Sequence, residues 1–352
     1  MKELLTVDEW EAAARDRLTP MAWDYFRSGA DSERTLARNR EAFARRALWY
    51  RVLRDVENRD LSLELLGDKL ATPVLVAPTA YHRLAHPDGE RATAEGARAA
   101  GALYVISTLA TISLEEIAPV AGPRWFQLYV HKDRDLTSAL IERAERTGCS
   151  AIVLTVDAPL LGRRLADERN GFALPAGMTM ANLAVSAPAS AAGSGLASYF
   201  ASRHDASLTW RDLEWLRSHT RLPVLVKGLV RGDDARQAVA CGVAGVIVSN
   251  HGGRQLDGAP ASLDALAEVV AAVGGSTLVL MDGGVRSGTD VLMALALGAR
   301  AVLVGRPVLW GLAVGGAEGV RRVLALLTEE LSRAMALAGC ARLSDITPDL
   351  VR

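Results

Sequence analysis

The sequence predicts an α/β protein, a (β/α)8 TIM barrel with an N-terminal helical segment and a long lid insertion after strand 4. Three observations carry this reading. From Pro73 onward eight short, almost continuous apolar runs recur, as parallel strands covered on both faces require. Alanine-rich stretches with 3.6-residue periodicity lie between them, the alternation of a parallel α/β sheet. Each run ends in polar residues on the same side, where a barrel carries its chemistry. An open doubly wound sheet is the alternative, but it would divide the chain, and no interdomain linker is legible.

The elements follow in order. Thr6 and Glu9 form a capping box ahead of an amphipathic helix running to Leu18. Thr19-Pro20 starts a second helix, with Thr as N-cap and Pro in the first turn, and Gly29 ends it. Ser32–Phe43 is a third helix, and Leu61–Leu70 a short hairpin turning at Gly67-Asp68. The barrel strands are Val74–Ala77, Leu103–Ile106, Trp125–Leu128, Ala151–Thr155, Val224–Val226, Gly245–Val248, Thr277–Met281 and Ala301–Val304. Helices are expected at Gly89–Ala100, Ser113–Ala118, Asp135–Thr147, Trp210–His219, Asp233–Cys241, Ser262–Val273 and Ser287–Leu297, with another after the last strand. The gap from Thr155 to Val224 is abnormally long, and within it Ala184–Ser207 holds 16 Ala, Ser or Gly in 24 residues. That insertion reads either as disorder or as a lid; its exit from the C-terminal end of a strand favours a lid over residues 158–208. The reading is one domain, 1–352: helices and hairpin to 72, barrel with lid from 73 to 304, and C-terminal helices beyond.

Composition removes several function classes. Lys+Arg number 40 against 41 Asp+Glu, a formal charge of −1, without the basic excess of a nucleic-acid protein. The apolar half of the chain is ample for a core. No apolar run reaches the ~18 residues needed to span a bilayer, and the start at Met1 does not read as a signal peptide. Cys149, Cys241 and Cys340 are scattered and odd in number, which suits a reducing cytoplasm and offers no metal-ligand spacing.

The strand ends, read in turn, supply Pro78-Thr79, Ser107-Thr108, Gln127 with Tyr129, Thr155 with Asp157, and Lys227. Strands six to eight supply Ser249-Asn250-His251 with Arg254, Asp282-Gly283-Gly284 with Arg286, and Gly305-Arg306. A purely structural barrel needs no such ring, so this is a large binding site. The last two loops fit a phosphate: glycine permits close backbone approach, helix N-termini offer free N–H groups, and two arginines add charge. Lys227 is one of only four lysines and sits in an otherwise apolar stretch, where an ammonium is costly unless paired or used. His251, flanked by glycines, suits proton transfer near neutral pH with Asp157 as its carboxylate partner. Arg254 offers a fork for a substrate carboxylate. His82, His86, His131, His204 and His219 lack such a setting and read as surface or turn residues.

Ser249–Gln255 followed by Leu256-Asp257-Gly258, with Pro78-Thr79-Ala80, Phe126–Tyr129, Thr155-Val156-Asp157, Lys227-Gly228, Asp282–Arg286 and Gly305-Arg306-Pro307, resembles the FMN-dependent 2-hydroxy-acid oxidizing family. That family includes glycolate oxidase, lactate oxidase and mandelate dehydrogenase. The matches run in order from Trp23 to Trp310. The resemblance implies FMN as cofactor and a small 2-hydroxy acid as substrate. It makes His251 the base, Asp157 the holder of its imidazolium, Arg164 and Arg254 a carboxylate clamp, and Tyr25 and Tyr129 binders of carboxylate and hydroxyl. Lys227 then stands by the N1–O2 edge of the flavin, and Ser107, Gln127, Thr155 and the backbone of Thr79-Ala80 bond its ring, with Ser249 a further neighbour. Asp282 takes the ribityl chain; Gly283, Gly284, Arg286, Gly305 and Arg306 surround the phosphate.

The resemblance is strongest to the 4-hydroxymandelate oxidase branch. Tyr81 follows the Pro-Thr-Ala turn, and Leu109 stands where glycolate oxidase has a tryptophan, which opens room for an aryl group with Tyr81 beside it. Ala80, and the lack of a membrane segment or haem domain, favour an oxidase that uses O2 and makes H2O2, with or without later decarboxylation. A lactate or glycolate oxidase, or a dehydrogenase with another acceptor, is the alternative. Other FMN or phosphate-binding barrels are the enzyme alternative, such as an FMN-dependent isomerase or an IMP-dehydrogenase-like enzyme; the latter needs a catalytic cysteine on an active-site loop, whereas Cys149, Cys241 and Cys340 all fall on predicted helices or their ends. A non-catalytic flavin-binding barrel would not need His251 together with Arg164 and Arg254. A cytoplasmic homo-oligomer, tetramer or octamer, is the expected assembly.

Overall fold

The structure, a computed structural model, describes residues 3–183 and 200–352. Helices α1 (Val7–Arg15), α2 (Pro20–Arg27) and α3 (Arg34–Ala44) come first. The Thr6–Glu9 capping box and the Thr19 cap are formed, and α1 stops at Arg15, short of Leu18. A hairpin of β1 (Leu63–Leu65) and β2 (Asp68–Leu70) follows. It turns at Leu66-Gly67, one residue earlier than predicted, because both of these residues take the positive φ that a two-residue hairpin loop needs.

Eight parallel strands close into a barrel: β3 (Val74–Val76), β4 (Tyr104–Ser107), β5 (Arg124–Leu128), β6 (Ile152–Thr155), β7 (Val224–Leu229), β8 (Gly245–Val248), β9 (Leu278–Asp282) and β10 (Val302–Val304), with β10 returning to pair β3. Between them lie α4 (Gly89–Ala99), α5 (Leu114–Ile117), α6 (Arg134–Arg146), α7 (Leu165–Asn170), α8 (Trp210–Ser218), α9 (Gly232–Ala240), α10 (Ser262–Val273) and α11 (Gly288–Ala296). The last, α12 (Arg306–Ala338), breaks at Gly315-Gly316 into two halves. They pack so closely that a Cβ on Gly319 would collide with the Gly311 carbonyl. Of the lid expected at 158–208, residues 184–199 lie outside the described residues; α7 is the described helix of its first part.

Strand alternation places everything else. Successive side chains point to opposite faces, so Leu75, Val105, Trp125, Val153, Leu225, Ile247, Leu280 and Leu303 fill the barrel interior, and β1–β2 plugs its lower end with Leu63, Leu65 and Leu70. Each fully buried side chain of this size contributes about 1.5–3 kcal/mol. The intervening residues, Val76, Ile106, Phe126, Leu154, Val226, Val248, Met281 and Val304, pack outward in the cluster that includes the helices. Two residues beyond the interior layer, the same inward face arrives at the top of the barrel.

The histidines are a correction. His82, His131 and His204 are buried, although they were read as surface or turn residues. The His82 ring lies between the Thr79 and Thr93 hydroxyls at 2.6 and 2.8 Å, partners that tertiary packing brings together. His131 and His204 form a bridge where the chain rejoins the barrel. Burial pushes all three below the usual imidazole value, His131 to about 4 with the neighbouring His204 helping. The unfolded chain therefore takes up protons below pH 6.5 that the folded one refuses, and stability is lost as pH falls from 6.5 toward 4. For His131 alone the loss is on the order of 3 kcal/mol by pH 4. Melting temperatures of wild type and His131→Gln between pH 7 and 4.5 check this: the variant should lose less, and parallel curves would refute it.

Candidate active site

The inward face of the strands ends in Ser107, Gln127, Thr155, Lys227, Ser249 and Asp282, one polar group per strand from β4 to β9 or just past it. They form a connected layer. Gln127 accepts from the Ser107 hydroxyl at 3.3 Å and the Thr108 N–H at 3.2 Å, and donates to the Thr155 hydroxyl at 3.1 Å. Lys227 Nζ lies 3.1 Å from Asp282 and donates to the Ser249 hydroxyl at 2.9 Å. Burial works against the ammonium, but Asp282 and Asp157 more than offset it, so its pKa is raised and it stays charged.

Above this layer opens a cleft with about 1080 Å³ of space, open solvent included. Its walls include Pro78, Thr79, Ala80, Ser107, Leu109, Gln127, Tyr129, Thr155, Lys227, His251, Arg254, Asp282, Gly283, Gly284, Arg286, Gly305 and Arg306, with Tyr25 and Arg164 at the substrate end. Three predicted site residues stand apart from that wall: Asp157, which reaches it through His251; Ser249; and Tyr81. Ser249 is fully buried and braces Lys227 and the His251 N–H, because its hydroxyl is turned inward beneath them. Tyr81 lies behind Tyr25 and Phe172, with its hydroxyl on Met180 Sδ at 3.6 Å, so it is not the aryl partner foreseen for it.

His251 Nδ1 meets Asp157 Oδ1 at 2.8 Å. The bond is possible because His251 takes a left-handed backbone, φ 60°, continued by Gly252 and Gly253. Gly228 makes room for the carboxylate, since a Cβ there would lie 2.6 Å from Asp157. Burial lowers the imidazole pKa and Asp157 only partly restores it, so His251 is neutral at pH 7. Burial also works against the Asp157 charge, but His251 and Lys227 prevail and keep it ionised. With Nδ1–H donated to Asp157, the free Nε2 is a base aimed from the cavity wall.

The guanidiniums of Arg164 and Arg254 lie over the Tyr25 ring at 5.8 and 5.1 Å, and Phe172 stacks on the same ring at 4.4 Å. Burial and the neighbouring Arg164 bring Arg254 down to about 10, still protonated at neutral pH. The Tyr25 and Tyr129 phenols are raised by burial and remain donors.

Arg306 is anchored as well as exposed to the cavity. Its guanidinium donates to the carbonyls of Phe26, Gly252 and Ser28 at 2.9, 3.0 and 2.9 Å, which uses three of its five N–H groups. Arg306 also begins α12 and lines the cavity, so its backbone N–H and two guanidinium N–H groups remain as donors. Arg286 keeps Nε buried without a protein partner, as does Asp282 at Oδ1. Gly283 and Gly284 take φ of 98° and 90°, and a Cβ on Gly284 would strike the Asn39 carbonyl. Sequence reasoning missed Asn39, Phe172, Phe200 and Asp167. Asn39 exchanges two hydrogen bonds with Asn250, and its place among buried Thr35, Ala42 and Phe43 on one face of α3 was a usable signal. Among the described residues no cluster of potential metal ligands is present, and no helix is long and apolar enough to cross a membrane.

Glycine loops with a helix N-terminus, a row of polar groups across the barrel mouth and a histidine–carboxylate pair beside two arginines form the kind of site that a flavin oxidoreductase requires. The family model described as FMN-dependent dehydrogenase matches residues 14–352, and the chain belongs to that family. Among similar proteins, L-lactate oxidase of a Nostoc species is 54% identical over 96% of this chain and 95% of its own. Human 2-hydroxyacid oxidase 1 is 49% identical over 100% and 97%. The crystal structure of mandelate oxidase with (S)-4-hydroxymandelic acid superposes with TM-score 0.94 at 47% identity, covering 99% and 98% of the two chains. The protein is an FMN-dependent enzyme of 2-hydroxy-acid oxidation.

The residues present fit FMN. The orphaned Asp282 Oδ1 and Arg286 Nε, the glycine loops and the N-terminus of α12 supply hydroxyl- and phosphate-binding groups along one wall of the cavity.

Proposed function

We propose that the enzyme oxidises (S)-2-hydroxy acids with an apolar side chain, aryl mandelate-type acids first, to the 2-oxo acids, with O2 as acceptor and H2O2 as product. The observation that carries the side-chain preference is the wall beside His251. Leu109, Ala158, Leu161 and Phe200 line it, and none of them offers a hydrogen bond from its side chain. FMN, when bound, accepts the two electrons and passes them to O2.

The residues divide the remaining work. Arg164 and Arg254 hold the carboxylate, and Tyr25 and Tyr129 donate to carboxylate and hydroxyl. His251 Nε2 takes the proton, and Asp157 stabilises the imidazolium that results. Lys227 holds positive charge where the cofactor ring gains electron density. Ser107, Gln127, Thr155 and the Pro78–Ala80 turn would hold the ring, and Asp282, Arg286, Gly305 and Arg306 would hold its tail. The enzyme is further read as a cytoplasmic homo-oligomer, a tetramer or octamer; the three buried free cysteines are compatible with a reducing compartment.

A second reading, small aliphatic acids, is favoured by the lactate oxidase relative. Steady-state kinetics on (S)-mandelate, (S)-lactate and glycolate decide between them. Mandelate is expected to give the highest kcat/KM, and Leu109→Trp to cut it at least tenfold while sparing glycolate, because an indole fills the aryl space. A wild-type preference for lactate or glycolate removes the aryl reading.

A further inference from the structure

A buried carboxylate stands beside the arginine clamp and belongs to none of the roles above. Asp167 lies three residues after Arg164, in the first turn of α7, and is 2% exposed. Among the described residues neither of its side-chain oxygens has a hydrogen-bond partner. The nearest cation, Arg164 Nη1, is 4.0 Å away, too long for a hydrogen bond. Asp167 therefore does not orient either guanidinium through a bond; it acts on them through its charge. Burial raises its pKa, with Arg254 and Arg164 opposing that rise and Asp24 adding to it.

We propose that Asp167 sets how tightly the Arg164–Arg254 clamp holds a carboxylate, as a resident counter-anion whose negative charge weakens the binding of substrate and 2-oxo acid product alike. The inference rests on reading these arginines as the carboxylate clamp. With Asp167 ionised, the three groups carry one net positive charge, which a single carboxylate neutralises. Without it the clamp carries two in a water-poor pocket, and a bound anion is held harder. Asp167 is in this sense a positioning residue, and its removal has the opposite sign to that of a residue which orients the arginines by contact. An orienting residue, once removed, weakens anion binding; a counter-anion, once removed, strengthens it. The cost of strong binding is slow product release, so the carboxylate trades affinity for turnover.

The test compares inert ligands on the FMN-loaded enzyme by titration calorimetry. Phenylacetate and neutral phenylacetamide form one pair, and propionate and propionamide a second that does not depend on an aryl pocket. Asp167→Asn should tighten the carboxylates about tenfold, the order expected for one unit charge several ångströms away at intermediate dielectric, and leave the amides within twofold. Asp167→Glu should restore the wild-type ratio, and Asp167→Ser serves if the Asn variant does not retain FMN. In turnover the neutral variants should lower KM more than they change the anaerobic reduction rate. An unchanged or weakened carboxylate-to-amide preference overturns the role of Asp167. A wild-type enzyme that prefers neither carboxylate to its amide overturns the clamp itself.

Discussion

His251→Asn is expected to lower the anaerobic rate of flavin bleaching by 2-hydroxy acid by about 10²–10⁴-fold, the range of a positioned general base, while FMN stays bound. Asparagine is the suitable replacement because residue 251 sits at φ 60°, a region Asn visits far more readily than alanine. The ring-facing layer from Ser107 to Asp282 is left intact, which is why cofactor content should not fall. The wild-type profile carries a second signature. Catalysis needs neutral His251, whose pKa is lowered by burial, so kcat/KM should rise with pH through an apparent pKa below 6.5 and then level. Asp157 is the main group resisting that lowering. Asp157→Asn should therefore move the acid limb lower still, even as it reduces the rate about 10²-fold. Stopped-flow absorbance and pH profiles check both; an acid limb above 6.5, or full bleaching in His251→Asn, contradicts the assignment.

Lys227→Met is expected to destabilise the protein by about 3–5 kcal/mol and to abolish stable FMN binding. The Lys227–Asp282 pair is buried on both sides, and removing one member of such a pair strands the other charge in a poorly solvated place. The double variant Lys227→Met, Asp282→Leu separates the two effects. It should recover most of the lost stability, because a buried ion pair replaced by apolar groups is often nearly neutral. It should not recover FMN, because Asp282 Oδ1 is among the groups left open for it. Chemical denaturation and flavin content after gel filtration measure these separately. Equal stability of the single variant and wild type would show that Lys227 is solvated rather than paired.

Much of this site was legible before any coordinates because strand periodicity is rigid. A strand whose interior residue is Leu225 must present Lys227 to the same side, and one with Leu280 must present Asp282. The contents of the ring at the barrel mouth thus follow from eight apolar runs. The side-chain environments do not. Ser249 obeys the same periodicity, yet it is fully buried and its hydroxyl is taken up by Lys227 and the His251 N–H. Tyr81 follows a cofactor turn in sequence, but the positive φ at that residue swings the ring behind Tyr25. Arg306 was read from its neighbours in the chain, whereas its three acceptors include carbonyls about 280 residues earlier, at Phe26 and Ser28. Contacts of that separation leave no local mark. His82 fails for a different reason: its partners Thr79 and Thr93 are only three and eleven residues away, but their hydroxyls meet the ring only once the turn and α4 have taken their places.

The hold that Arg306 keeps on Phe26 and Ser28 ties distant stretches of the chain together. Arg254 shares the Ser28 carbonyl at 2.6 Å, and the Ala30 N–H reaches the Gly253 carbonyl at 2.9 Å. The carbonyls of Phe26 and Ser28 therefore meet these donors only when residues 252–306 are folded against them. Without residues 252–306 Tyr25 keeps only one of the two guanidiniums that lie over its ring, that of Arg164. Two stretches about 280 positions apart are thus clasped together at the barrel mouth, and a break in either one loosens the other.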